Sequence, residues 1–206
     1  MHQHSPIATR DPAPLLEQTL QEWGQDGDLW LFGYASLIWR PDFEFVERRL
    51  AMVHGWHRAL KMWSRVNRGT PQCPGLVFGL LPGGSCRGMV FRIERAAALA
   101  MFPALWQREM VLGVYDPRWL ACRTAQGPVR ALAFTLPRNS PSHTGVLSEA
   151  QYRQIFQQAR GIYGSTHDYA HTTYQELLRL GIQDRALGRL LQLAHPAQSA
   201  RQDQPT

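Results

Sequence analysis

Glu109 is the side chain in this sequence best suited to moving a proton. It stands in Arg108-Glu109-Met110-Val111-Leu112-Gly113-Val114-Tyr115, with Trp106 shortly before it, so its neighbours are largely apolar. Desolvation raises a carboxylate's pKa toward neutrality, where it can both take a proton and give it back. Arg108 opposes that shift if it faces the carboxylate, and a surface Glu–Arg pair is the other reading of the same residues. A second segment is Phe32-Gly33-Tyr34-Ala35-Ser36-Leu37-Ile38-Trp39. A tight loop after a strand leaves backbone N–H groups without ladder partners, and turned one way they form a nest for an anion or a developing oxyanion. The alternative is a plain strand-end turn. Ser36 lacks the GxSxG setting of a nucleophile elbow and reads as a hydrogen-bond donor. A third segment, Arg68-Gly69-Thr70-Pro71-Gln72-Cys73-Pro74-Gly75, puts a cation beside a turn.

Other constellations carry less chemistry. His167 and His171 sit at i, i+4 on a helical stretch, the spacing of a zinc-binding pair. Asp168 replaces the glutamate of that motif, however, and no third ligand is evident. Gly83-Gly84 with Gly88 is no phosphate loop, because no Gly-Lys-Ser/Thr follows. His54 and His57 flank Gly55-Trp56 as strand residues, and His2 and His4 lie near the N-terminus. No motif calls for a nucleotide, flavin or metal, so the expected cofactor set is none.

The positioning elements can be read in outline. Leu15, Leu16, Leu20 and Trp23 recur at helical spacing and are closed by Gly24. Leu29-Trp30-Leu31-Phe32 is a short buried strand, and residues 45–63 hold one or two strands around Gly55. Pro82-Gly83-Gly84-Ser85 predicts the turn of a hairpin between strands 76–81 and 86–93. Residues 94–102 are helical, with Pro103 interrupting the pattern. A strand covers 129–136. Ser148-Glu149-Ala150-Gln151 is a capping box opening a helix to about Arg160, followed by helices over 166–180 and 184–193. Strands come first and helices mostly last, which makes the fold class α+β. The expected organisation is a disordered tail over 1–14, a single domain over 15–194, and a second tail over 195–206.

Composition narrows the function. The chain has 206 residues, 44% hydrophobic and 18% charged, with seven Trp, and can bury a sizeable core. The net charge of +6 rests almost wholly on arginine, Lys61 being the sole lysine. One reading of that bias is a genome-wide composition preference; the other is attraction of an anionic partner, and since the arginines are scattered a small acidic peptide suits it better than nucleic acid. Three cysteines in no paired pattern suggest reduced thiols and a cytoplasmic location. No apolar stretch approaches a membrane span, so no membrane partner is expected.

In order and spacing the three segments resemble the ChaC family of glutathione-specific γ-glutamylcyclotransferases, from about Leu29 to Leu193. That family carries a GYGSLIW-like loop, an RGTP..PG segment and an REAVLGGY- or REKGGY-like segment. The resemblance implies a small mixed β-barrel surrounded by helices, with the site at the barrel mouth. It also implies breakdown of glutathione to 5-oxoproline and cysteinylglycine by intramolecular aminolysis. Glu109 would be the general acid/base, the loop Gly33, Tyr34, Ala35, Ser36, Leu37 and Ile38 would bind the γ-glutamyl group, and Tyr115 would line the pocket. Arg68 would either meet the glycine carboxylate or brace its own turn. Ala35 stands where the family has glycine: a positive φ there would mean strain, a negative one merely an added methyl. His143 stands where the family often has tyrosine. The rival readings are a cyclotransferase for another γ-glutamyl peptide or amine, and a non-catalytic regulator linked to cation transport.

Overall fold

The structure, a computed structural model, describes residues 10–110 and 113–194. Five strands close into a barrel in the order β1-β3-β2-β4-β5, where β1 is Leu29–Gly33, β2 Glu47–Ser64, β3 Gly75–Ile93, β4 Asp116–Thr124 and β5 Gly127–Thr135. Neighbours run antiparallel except β1 and β5, which meet in parallel at Leu31 and Leu132 and close the ring. Closure leaves no free sheet edge, so a short strand such as β1 can lie wholly inside the fold.

The helices are α1 (Ala13–Trp23), α2 (Ser36–Trp39), α3 (Arg95–Glu109), α4 (Glu149–Gln158), α5 (Thr166–Arg179) and α6 (Arg185–Gln192), with a small hairpin, β6 (Arg160–Gly161) and β7 (Gly164–Ser165), before α5. Gly24 ends α1 in the left-handed conformation, and Ser148 and Gln151 form the expected capping box of α4. One buried cluster joins barrel residues such as Phe32, Val53 and Phe78 to Tyr169 and Leu177 of α5 and Leu187 of α6. The other packs Trp23 of α1 and Phe102, Leu105 and Trp106 of α3 against Leu31, Leu132 and Phe134. No helix among the described residues is long and apolar enough to cross a membrane.

Two local expectations are corrected. Residues 82–85 are not the turn of a hairpin, because β3 runs unbroken past them and pairs along its length with β2. The ladder steps from Trp56↔Pro82 to His54↔Ser85, so Gly83 and Gly84 of β3 oppose the single Gly55 of β2, a bulge of one extra residue. Gly55, Gly83 and Gly84 all have positive φ, which lets both strands kink at one level and bend the ribbon instead of reversing it. Arg138 donates to the Pro82 carbonyl and a His57 ring nitrogen meets the Gly83 carbonyl, so the bulge keeps its polar groups satisfied. Likewise α3 passes through Pro103 and ends only at Glu109. Proline removes one intrahelical bond, and the burial of Phe102, Leu105 and Trp106 outweighs it. At the N-terminus α1 starts at Ala13, and Arg10 donates to the Tyr115 carbonyl at 2.6 Å and to Asp116 at 2.9 Å. The rest of the two expected tails lies outside the described residues.

Candidate active site

Strand β1 delivers the loop that follows it into a recess at the barrel. Tyr34, Ala35, Ser36 and Leu37 form one wall, and Phe78 of β3, Phe134 of β5 and Tyr115 form another. Glu109, at the C-terminal end of α3, and Tyr169, in the first turn of α5, complete the lining. The recess measures about 290 Å³ including the space open to solvent. Elements far apart in sequence are thus brought together by barrel closure.

The loop turns immediately into α2, a single helical turn. The Ile38 N–H bonds the Ala35 carbonyl at 2.9 Å and the Arg40 N–H bonds the Ser36 carbonyl at 2.7 Å. The N–H groups of Ala35, Ser36 and Leu37 have no acceptor among the described residues. They are donors left available beside the recess. Ala35 has φ −143°, so its methyl adds volume to the wall without the strain of a left-handed residue.

Glu109 keeps a side-chain exposure of 16%, and its Oε1 lies 3.1 Å from Arg108 Nε. Burial pushes its carboxyl above the ordinary carboxylate value, and Arg108 only partly opposes this. Both sequence readings of the Arg–Glu pair therefore hold at once: the two side chains pair, and the carboxylate still lines a cavity. Arg108 is committed elsewhere too. It donates to the carbonyls of Arg40 (2.8 Å) and Pro41 (3.2 Å), to Asp42 (3.0 Å) and to Ser36 Oγ (3.4 Å). The end of α3 is thereby tied, one residue before Glu109, to the loop and to the chain leaving it. Val111 and Leu112, invoked above as apolar neighbours, lie outside the described residues; Trp106 and Met110 are buried as expected.

Three phenols surround the carboxylate. The Tyr34 hydroxyl donates to the Phe134 carbonyl at 2.9 Å, and the Tyr115 hydroxyl to the Phe78 carbonyl at 2.9 Å. Burial first, with Glu109's charge also contributing, pushes Tyr34 and Tyr115 well above the usual phenol value and Tyr169 up to about 12. All three stay neutral near pH 7 and can serve only as hydroxyl donors and acceptors.

Of the residues singled out from the sequence, Tyr34, Ala35, Ser36, Leu37, Glu109 and Tyr115 converge on the recess. Gly33 and Ile38 do not line it. A side chain at Gly33 would come within 3.2 Å of the Phe91 ring, so that glycine serves close packing, and Ile38 is buried in the core. Arg68 stands behind the wall, its guanidinium 4.8 Å over the Tyr169 ring. His143 bridges to Met62 and is not among the lining residues. Sequence reasoning missed Phe78, Phe134 and Tyr169. The signal for Tyr169 was its place with Ala170, Thr173 and Leu177 on the buried face of α5, masked by the flanking histidines, whose rings stack 5.9 Å apart.

Comparison with known proteins agrees with this geometry. A family model described as ChaC-like protein matches residues 29–196. The glutathione-specific gamma-glutamylcyclotransferase of Escherichia coli K12 is 33% identical over 180 residues, spanning 87% of this chain and 78% of that protein. The glutathione-specific gamma-glutamylcyclotransferase 1 of Mus musculus is 31% identical over 175 residues, spanning 81% and 77%. The crystal structure of the yeast gamma-glutamyl cyclotransferase specific to glutathione superposes with a TM-score of 0.73, covering 82% of this chain and 96% of that one at 20% identity, and so supports the fold. The closed barrel, the converging loop and carboxylate, and a family match over most of the chain lead to one conclusion: this chain belongs to the ChaC-like protein family.

Proposed function

We propose that this protein is a γ-glutamylcyclotransferase that cleaves glutathione into 5-oxoproline and cysteinylglycine. The observation that carries the reading is the largely buried Glu109 carboxylate lining the same recess as the loop 34–37. The substrate's α-amino nitrogen bonds to its own γ-carbonyl carbon and closes a five-membered lactam. The bond from that carbon to the cysteine nitrogen breaks. Glu109 takes the proton that the attacking nitrogen sheds and returns it to the departing nitrogen, so no water is consumed and no covalent enzyme intermediate forms. The unpaired amides at Ala35–Leu37 suit the γ-glutamyl carboxylate and the oxygen that gains charge during attack. Tyr34, Tyr115 and Tyr169 shape the recess so that the glutamyl chain is held curled, and orientation of this kind supplies a large share of the acceleration in intramolecular reactions.

The reaction needs only a small-molecule substrate, with no nucleic-acid or membrane partner. The three free cysteines fit a cytoplasmic setting, where glutathione is reduced. Incubation with glutathione, followed by mass spectrometry, tests the reading: equimolar 5-oxoproline and cysteinylglycine are expected. Free glutamate in place of 5-oxoproline would show hydrolysis and overturn it.

A further inference from the structure

Glutathione has a second anionic end, the glycine carboxylate. Resting on the function proposed above, we infer that Arg40 and Arg68, brought together at the β6–β7 hairpin, form the subsite for that carboxylate and make the enzyme select peptides over γ-glutamyl amines.

The two arginines reach the same place from opposite sides. Arg40 follows α2 directly, and its carbonyl is held by Arg108, the neighbour of Glu109. Its guanidinium lies 5.7 Å over the ring of Tyr163, at the hairpin tip. Arg68 donates to the carbonyl of that same Tyr163 while stacking at 4.8 Å on Tyr169, a wall of the recess. Tyr163 is 56% exposed, so the subsite opens to solvent, as the trailing end of a peptide requires.

The charges around this point do not balance. Arg68 is half-buried, yet no carboxylate among the described residues lies within ion-pairing distance of it. Asp168 attracts it only from farther away, and Arg40 repels it. Asp42, the carboxylate nearest Arg40, is shared between Arg40 (2.9 Å) and Arg108 (3.0 Å). Half-buried cations are ordinarily compensated, and a planar carboxylate fits the guanidinium fork with two parallel bonds.

The backbone under Arg68 is built to hold it there. Its N–H donates to Ser64 Oγ at 3.0 Å, and its carbonyl accepts from Thr166 Oγ1 at 3.3 Å. A side chain at Gly69 would fall 2.0 Å from the Gly75 nitrogen, so the loop 68–75 closes on itself too tightly for any residue but glycine. The reach is also suitable. Two extended residues span roughly 7 Å, and the Arg68 guanidinium lies 4.8 Å from the ring of Tyr169, which lines the recess.

The test compares glutathione with its analogue amidated at the glycine carboxyl, in the wild type and in Arg68→Met, Arg68→Lys and Arg40→Met. The wild type should favour glutathione by roughly tenfold or more in kcat/KM, the scale of one charge-assisted bidentate contact. In Arg68→Met that preference should collapse toward one, chiefly through a higher KM for glutathione, with Arg68→Lys and Arg40→Met intermediate. A preference that survives in Arg68→Met, with both substrates slowed alike, would show that Arg68 only braces the hairpin. Turnover by the wild type without discrimination would likewise overturn the subsite alone. No turnover of either substrate would overturn the proposed function, and the subsite with it.

Discussion

Replacing Arg58 with methionine removes the charge that joins the loop after β1 to Asp184 at the start of α6. Arg58 lies on β2 with a side-chain exposure of 4%. Its Nη1 donates to the Tyr34 carbonyl at 2.7 Å and to the Arg87 carbonyl at 3.1 Å. Nε and Nη2 both reach Asp184 Oδ2, at 3.0 and 2.9 Å, while Asp184 Oδ1 caps α6 through the Leu187 N–H at 3.0 Å. Removing one partner of such a buried pair costs about 3–5 kcal/mol, because the other charge stays behind unpaired. Asp184 retains 16% exposure and its place at a helix N-terminus, which softens the penalty toward about 3 kcal/mol. For a chain of this size that is a melting temperature lower by roughly 6–12 °C. Asp184→Asn keeps a capping acceptor but strands the Arg58 guanidinium, which retains the Tyr34 and Arg87 carbonyls, and should also lose about 3 kcal/mol. The double variant should be more stable than Arg58→Met alone, since neither charge is then stranded. Urea and thermal unfolding measure all three. Because Arg58 also fixes the Tyr34 peptide, kcat should fall further in Arg58→Met than in Asp184→Asn. A melting shift under about 2 °C in Arg58→Met, or a double variant less stable than that single one, would show that the Arg58–Asp184 pair does not hold these elements together.

Glu109 must be ionised to accept a proton, so kcat/KM should rise with pH through a value above the ordinary carboxylate range, set by its burial. Arg108→Met removes the one group that lowers that value and should move the rise to higher pH; a limb at an ordinary carboxylate pKa would contradict the assignment. The same shift has a stability sign. A carboxyl whose pKa is raised on folding binds more protons in the native state, so stability falls as pH climbs from its unfolded to its folded value. Glu109→Gln should therefore be at least as stable as the wild type at neutral pH, with the difference vanishing in acid, as melting against pH would show. Gly69→Ala should prevent stable folding or melt far below the wild type. Gly55→Ala, in open space but at φ +80°, should lose only about 1–2 kcal/mol.

Much of the fold was legible where local chemistry and burial agree. The capping box at Ser148, the Gly24 stop and the apolar run at Leu29 all became the expected elements, because each signal acts within a few residues. The segment 82–85 misled because a double glycine reports backbone permissiveness and not direction; the partner Gly55, some thirty positions earlier, decides that the ribbon bends. Strand β4 was overlooked since it lies half-exposed between β2 and β5 and carries Arg118 and Arg123 where a buried strand would be apolar. At the site, Glu109 and the loop 34–37 were readable as types of chemistry. Phe78, Phe134 and Tyr169 were not, because only barrel closure sets aromatic residues from three distant segments around one carboxylate.

If one largely buried carboxylate carries the proton between the two nitrogens, Glu109→Gln must stop the reaction. The amide preserves shape and cannot accept a proton, so 5-oxoproline release from glutathione should fall by about 10²–10⁴-fold or more while the protein remains folded and still binds glutathione. A folded Glu109→Gln variant that cyclises glutathione at close to the wild-type rate would mean that another group moves the proton.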